Sequence, residues 1–422
     1  MKQAIETTYP ITFRKKEADA LGQYIKQNKS VVLIGMKRVG INNFLRFFLD
    51  HDNDNLHVFV KVDLNDLIER NISAFWTLLL TRLVDTVQGS TLPETDKRTC
   101  RKLFVQSIQL KDHFFTLDSV RKVMETLVHA GLYPTLFLIR FDRLQEAVTP
   151  EFFSNIIGLR EAVNKKLTYV FTSHRPLPDL SPEVFKKQYV SVLSRDMYLS
   201  PACDLDMEII LNTLLEQHHA PVDTTTKQSL LLLSGGYVQY LQLALIRLAE
   251  EKKMPKDFMQ LQQLLSHDEQ VRFQSEELFE SLTKKEKDVV LQIKAGNRVG
   301  TAEREDASYL WHTGMVRDVQ GVTDFFSPLF ADYVGTLSMT STNGKEFTKK
   351  EHLLFTFLKD HEGELCERES IIEAVWPEHK DLGVSDWAID RLVARLRSKL
   401  KAHGSPYSVV TVVTRGYKLV KS

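Results

Sequence analysis

Residues 385–401 read SDWAIDRLVARLRSKLK. Ile389, Leu392, Val393, Leu396 and Leu400 recur at helical spacing and make one apolar stripe. Ala388, Arg391, Arg395, Ser398 and Lys399 fall roughly opposite it. The spacing predicts an amphipathic helix with a core face and a basic face. The small residues on the basic face let a helix approach base edges closely, and Arg is the side chain best matched to guanine O6 and N7.

The surroundings extend this reading. From Arg391 to Ser422 the chain carries eight Lys/Arg and no Asp or Glu, whereas residues 346–390 hold twelve acids against five bases. The whole chain is neutral, with 55 basic and 55 acidic side chains. A cationic block confined to one region of a neutral protein is the footprint of a phosphate-binding surface. Downstream, residues 408–413 are rich in strand formers, Thr414-Arg415-Gly416 reads as a turn, and Tyr417-Lys418-Leu419-Val420 reads as a second strand. Upstream, Thr348-Lys349-Lys350-Glu351 has the form of a capping box that opens a helix containing Leu353, Leu354, Phe355, Phe357 and Leu358, closed by Gly363. Residues 367–376 make a second short helix, ended by Pro377. Three helices followed by a hairpin with Arg415 at its tip are the layout of a winged helix.

With FTKKEHLLFTFL, the Ile371-Ile372 and Val375-Trp376 run, AIDRLVARLRSKL and VVTVVTRGYKLV in order, residues 346–422 resemble the effector domain of OmpR/PhoB-type response regulators. The resemblance implies a third helix in the major groove of double-stranded DNA and a wing on the flanking backbone or minor groove. By position, Arg395 would be the main base-reading side chain, with Arg391 and Ala388 nearby, Arg397 beside phosphate and Thr411 near the backbone at the wing. Ser398, Lys399 and Lys418 complete the expected DNA-facing set. Val413-Thr414 stands where the family usually has an Arg-Gly pair, and Arg415, one residue further on, is the candidate substitute. The acidic residues 362–386, with Glu378 and Asp381 in the loop 377–384, fall where that family contacts RNA polymerase, which makes polymerase a candidate partner and charge balancing of the basic helix the equal alternative.

In the N-terminal part, residues 30–34 (SVVLI) read as a buried strand running into Gly35-Met36-Lys37-Arg38-Val39-Gly40-Ile41-Asn42, then into a helix with Phe44, Leu45, Phe47 and Phe48. Strand, Gly-x-x-x-x-Gly turn and helix are the architecture of a P-loop. A working P-loop follows its second Gly with Lys, to neutralise phosphate, and Ser/Thr, to hold magnesium. Here Ile41 and Asn42 hold those positions, and Lys37 and Arg38 offer charge elsewhere in the turn. Residues 134–139 (PTLFLI) form a strand of the type that ends in Asp-Glu, yet Ile139 and Arg140 occupy those positions and Asp142 lies further on. A further strand, 169–173, ends in Ser173, where a nucleotide-sensing side chain is placed in related folds. Alternating strands (31–34, 58–62, 135–139, 168–172) and helices predict a parallel three-layer α/β domain.

With FRKKEADAL, GMKRVG, FTSHRPL, Tyr198-Leu199-Ser200-Pro201 and Ser234-Gly235-Gly236 in order, residues 9–335 resemble the archaeal-type branch of STAND/AAA+ ATPases. The resemblance implies a nucleotide-gated switch, and the missing catalytic letters imply a fold whose hydrolysis is abandoned. No cofactor or metal is expected, ATP or ADP binding is disfavoured, and Gly35, Lys37, Arg38, Gly40, Ile41, Asn42, Asp142 and Ser173 make up the degenerate site. The expected domains are residues 1–200 (P-loop ATPase-like α/β), 201–260 (helical lid), 261–337 (a small internal winged helix that contains the capping box at Thr283 and Glu286), 338–345 (linker) and 346–422 (winged helix).

Three cysteines at 100, 203 and 366 form neither a disulfide framework nor a metal pattern. No stretch approaches a membrane span, and the first residues lack an apolar signal core, so a cytoplasmic location is expected. The leading expectation is a sequence-specific DNA-binding transcription regulator, not an enzyme, with homo-oligomerisation a candidate property. The alternatives are an active nucleotide-switched STAND ATPase and a protein-interaction scaffold.

Overall fold

A computed structural model describes residues 9–51, 56–218, 222–251, 253–340, 347, 349–376, 386–402, 404–412 and 415–421. The chain divides into two compact units, Met1–Val334 and Gly335–Ser422.

The first unit is built on a five-stranded sheet of β1 (Ser30–Gly35), β2 (His57–Asp63), β3 (Tyr133–Ile139), β4 (Thr168–Ser173) and β5 (Ser194–Leu199), in the order β2-β3-β4-β1-β5. Every pairing is parallel. Successive strand residues point to opposite faces. Every residue of β1 and β4 is buried, so both faces of the sheet centre are covered, as the unbroken apolar runs predict. At one edge, β5 (SRDMYL) is half polar and buried only at its two ends, so it carries no such run. The four strands expected from sequence form at their places, each a residue or two longer than expected; β5 is the addition.

β1 lies between β4 and β5, so the chain reverses its winding beside β1. Ligands in sheets of this kind bind outside the carboxyl ends of the strands at such a reversal. The helix Ile41–His51 follows the loop after β1 and is fixed to the sheet by buried Phe44 and Phe48, the latter 6.1 Å from the ring of Phe137 and 5.9 Å from that of Phe59. Three helices, Ile72–Gly89, Glu94–Leu110 and His113–His129, intervene between β2 and β3.

Beyond β5 come the helices Asp204–His218, Thr224–Ser234, Val238–Glu250, Phe258–His267 and Glu269–Glu280, then a small helical segment with the antiparallel pair β6 (Val316–Val319) and β7 (Val322–Phe325). The capping box predicted at Thr283 forms in both directions, with Glu286 as its N3 partner. The Ser234-Gly235-Gly236 corner joins these parts. A Cβ at Gly235, whose φ is +57°, would lie 1.8 Å from the Phe326 carbonyl oxygen, and Ser327 Oγ donates to the Leu233 carbonyl at 2.6 Å. The helix Pro328–Thr340 takes up positions 338–340 of the expected linker, whose remaining residues lie outside the described set.

The second unit contains the helices Lys349–Asp360, Arg368–Val375 and Asp386–Ala402, and a three-stranded antiparallel sheet of β8 (Cys366–Glu367), β9 (Tyr407–Val412) and β10 (Gly416–Lys421) in the order β8-β10-β9. The predicted stripe is its core: Ile389, Leu392, Val393 and Leu396 are fully buried, with Leu400 at 3% exposure, against Leu354, Leu358, Ile371, Val375 and Leu419. Full burial of each such side chain contributes about 1.5–3 kcal/mol. The short strand β8 is the part the sequence reading left out. Thr348 of the expected capping box, the loop 377–385, Val413 and Thr414 lie outside the described residues.

Candidate nucleic-acid interface and the cleft at β1

With one side of Asp386–Ala402 in the core, three sides remain. On the side of the first helix, Lys399 Nζ donates to Glu351 Oε2 at 2.7 Å, and Arg395 Nε lies 3.8 Å from Glu351 Oε1. Glu351 is 1% exposed and both cations about a quarter exposed, so a buried carboxylate sits beneath two partly exposed positive groups. On the side of the sheet, Arg397 Nε donates to the Val409 carbonyl at 2.7 Å and its Nη2 to Thr411 Oγ1 at 2.8 Å, tying the helix to the hairpin. Nearby, Arg368 Nη2 pairs with Asp390 at 2.6 Å and donates to the Tyr417 hydroxyl at 3.2 Å, and that hydroxyl donates to Asp390. Burial, then the hydrogen bond and charge of Asp390, push the Tyr417 phenol up to about 12, so it remains a donor.

The outward side carries Arg391, half-buried, and Ser398, exposed, whose Oγ donates to the Ala394 carbonyl at 3.1 Å. Ala388 lies in the helix, with its side chain outside the described set. Arg415 is exposed in the turn before β10, its backbone N–H donating to the Val412 carbonyl at 3.0 Å, and Lys418 lies half-buried on β10 opposite Val410. The residues expected to face DNA therefore share one helix and one hairpin, and Arg395, Arg397 and Lys399 are tied by their charged groups to neighbouring elements of the unit. The sequence reading took Glu351 only as a capping residue and did not find its part beneath the basic helix. Its place in the first turn, four residues ahead of Phe355, carries no signal of a long-range pair.

In the first unit, a cleft of about 470 Å³ opens at the carboxyl ends of β1, β3 and β4. All eight residues of the expected degenerate site line it: Gly35, Lys37, Arg38, Gly40, Ile41, Asn42, Asp142 and Ser173. Gly40 adopts φ +106°, the left-handed backbone that closes the loop, and its N-terminal neighbours Met36 and Val39 are buried. Lys37 Nζ lies 3.8 Å and Arg38 Nε 3.1 Å from the carboxylate of Glu277 on the helix Glu269–Glu280. Asp142 Oδ2 is 3.3 Å from His174 Nδ1, and Ser173 Oγ accepts from the backbone N–H of Arg175 at 3.1 Å. At the end of β3, the Arg140 backbone N–H donates to Thr172 Oγ1 at 2.7 Å and its guanidinium binds both oxygens of Asp63. Burial alone would raise the Asp63 carboxyl, but the Arg140 and Asn65 hydrogen bonds and the charges of Arg140 and Lys61 together hold it below the usual carboxylate range.

Sequence reasoning missed two groups here, Glu277 and Arg175. Arg175 is buried and donates to both oxygens of Glu286 at 2.7 and 2.6 Å and to the Ser281 carbonyl at 2.7 Å, while its guanidinium stacks 3.9 Å from the Tyr309 ring centroid. The signal for this pair was the FTSHRPL element together with the capping-box Glu286, read separately. Among the described residues, no group of three or more His, Cys, Asp or Glu is arranged to hold a metal.

The second unit carries a winged helix of the OmpR/PhoB type: residues 342–419 match the family described as "Transcriptional regulatory protein, C terminal". Over 89 residues the chain is 33% identical to the transcriptional activator CadC of Escherichia coli (strain K12). That stretch is 20% of this chain and 17% of the relative. The solved structures similar to the chain include the Walker-type ATPase of Pyrococcus abyssi (TM-score 0.46, 15% identity, 76% of this chain and 95% of that one). They also include the ORC2 protein of Aeropyrum pernix (TM-score 0.45, 14% identity, 80% and 98%). The first unit itself shows a parallel α/β sheet in the order β2-β3-β4-β1-β5 with a Gly-x-x-x-x-Gly loop after β1. No helix among the described residues is long and apolar enough to cross a membrane.

Proposed function

We propose that the protein is a sequence-specific regulator of transcription that binds double-stranded DNA through the helix Asp386–Ala402 and the β9–β10 hairpin. The observation that carries this is the docking of that helix: its apolar stripe is buried while Arg391, Arg395, Arg397, Ser398 and Lys399 lie along the remaining sides. The match of this region to a transcriptional regulatory family, and to a protein named a transcriptional activator, supports the same reading.

The first unit, in this reading, is a sensor or oligomerisation body that does not hydrolyse ATP. Its donor set does not fit a magnesium nucleotide. Ile41 supplies no charge, Asn42 is a poorer metal ligand than a hydroxyl, and Arg140, held by Asp63, brings a cation to the place of an acid. RNA polymerase remains a candidate partner through Glu378 and Asp381, both outside the described residues.

The test is duplex binding measured across salt concentration, beside phosphate release with ATP and magnesium. Neutralising several phosphates makes affinity fall steeply with salt, and Lys418→Ala lowers that slope by about one for all sequences alike. Binding indifferent to salt would favour a scaffold that docks protein. Turnover abolished by Asp142→Ala would establish the alternative, an active ATPase.

A further inference from the structure

We propose that the cleft at the β1 loop is an oxyanion site filled from within, its resident anion being the carboxylate of Glu277. This rests on the reading of the first unit as a body that does not hydrolyse nucleotide, and it identifies what neutralises the loop in the absence of phosphate.

Two cations from one turn meet two different oxygens of one carboxylate: Lys37 Nζ at 3.8 Å from Oε1 and Arg38 Nε at 3.1 Å from Oε2. The exposures are unequal. Glu277 is 7% exposed, against 32% for Lys37 and 42% for Arg38, so the acid is the inserted group and the cations reach in from the loop. A carboxylate at that depth persists only when paired and hydrogen-bonded. A third donor completes the set, Gln274 Nε2, 3.3 Å from Glu277 Oε2.

The backbone of the loop is fixed by the same residues. Gln274 Nε2 also donates to the Tyr237 hydroxyl at 3.0 Å, and that hydroxyl donates to the Lys37 carbonyl at 2.6 Å. Burial holds the Tyr237 phenol well above its ordinary range, so it stays a donor. Arg38 itself sits at φ +59°, a conformation a non-glycine residue adopts at a cost that surrounding contacts must offset. The loop after β1 is thus held to the helix Glu269–Glu280 by an ion-pair fork and by a Tyr–Gln relay, the place where a P-loop would hold phosphate instead.

A carboxylate and a phosphate oxygen present the same charge and acceptor geometry to an ammonium and a guanidinium. While Glu277 occupies the fork, a phosphate-type oxyanion is excluded by charge; with the acid neutralised, Lys37 and Arg38 become a receptor for one.

The test is thermal unfolding of the full chain in inorganic phosphate against chloride at matched ionic strength. The wild type should show no phosphate-specific shift. Glu277→Gln should gain a rise in Tm of roughly 2 °C at phosphate ten times its Kd. Adding Lys37→Met and Arg38→Met to Glu277→Gln should remove that rise. A wild type that responds as strongly as Glu277→Gln overturns the proposal, and so does a folded Glu277→Gln that does not respond. Should Glu277→Gln fail to fold, Lys37→Met with Arg38→Met in the wild type decides: a lowered Tm supports the internal pair, and an unchanged Tm overturns it. Each outcome is read without ATP and without turnover, so a failure here is distinct from a failure of the non-hydrolysing reading, which phosphate release decides.

Discussion

Lys399, on the basic helix of the second unit, donates to the carboxylate of Glu351, a residue 1% exposed on the first helix of that unit, at 2.7 Å. Arg395 shares the same carboxylate at 3.8 Å. The pair has two consequences: it fastens the helix to its support, and it withholds part of the positive charge from solution. Glu351→Ala should therefore lower the stability of the second unit by about 1–3 kcal/mol, a modest loss because the two cations can regain water. It should also steepen the salt dependence of non-specific DNA binding, by about one in slope for each cation released. Denaturant titration and duplex binding at several salt concentrations read both effects. Unchanged stability with an unchanged slope would mean that Glu351 neither supports nor restrains the helix.

The apolar stripe is a separate matter from the charge. Leu396 is fully buried against the other two helices and the sheet. Leu396→Ala should cost about 2–5 kcal/mol and remove the unfolding transition of the second unit under conditions where the wild type keeps it. The transition of the first unit should stay where it was. Calorimetry on the full chain reads the two together, and a shift of both transitions would contradict the division into two compact units.

Arg175 and Glu286 join the end of β4 to the capped helix Lys284–Lys294 with two short bonds, both partners nearly buried. Arg175→Met leaves the Glu286 carboxylate without its partner in a dry setting and should cost about 3–5 kcal/mol. Arg175→Lys should recover only part of it, since an ammonium cannot reproduce the bidentate fork, the bond to the Ser281 carbonyl and the stacking on Tyr309. Chemical denaturation of the three proteins is the check. Equal stability of Arg175→Met and wild type would show that the pair adds nothing.

How much of this was legible in the residues varies with the range over which the information lies. Periodicity is local, so the helix Asp386–Ala402, the two strands after it and four of the five parallel strands could be read directly. Strand β5 could not, because it opens on the polar run Ser194-Arg195-Asp196 at a sheet edge, where Arg195 and Asp196 are exposed and solvent replaces the apolar pattern. The Gly-x-x-x-x-Gly loop after β1 was legible from spacing alone, and the eight residues named for its site line one cleft. The groups that close the cleft and brace the basic helix were not. Glu277 lies 239 positions from Arg38 and Glu351 lies 48 from Lys399, and nothing in the neighbourhood of either acid marks the cation it meets.

Asp63 gives a pH dependence with a definite sign. Its folded carboxyl is held below the usual range by Arg140 and Asn65 against the opposing effect of burial. A depressed carboxyl contributes stability that is present above its unfolded value and lost as pH falls through its folded value. The difference in Tm between wild type and Asp63→Asn should thus be constant near neutrality and close as the pH drops below about 4. A difference that persists to lower pH would mean that the Arg140 pair does not depend on the ionised carboxylate.

The most direct measurement of DNA reading by the second unit is capture of fragmented genomic DNA at physiological salt, sequenced, with wild type and Arg395→Ala in parallel. The expected result is enrichment by the wild type of a few fragments sharing a motif. Arg395→Ala should weaken that enrichment by about 1–3 kcal/mol and relax it at one base pair. Absence of enrichment, or enrichment indifferent to Arg395, would contradict sequence reading by this helix and leave the second unit a non-specific or protein-docking module.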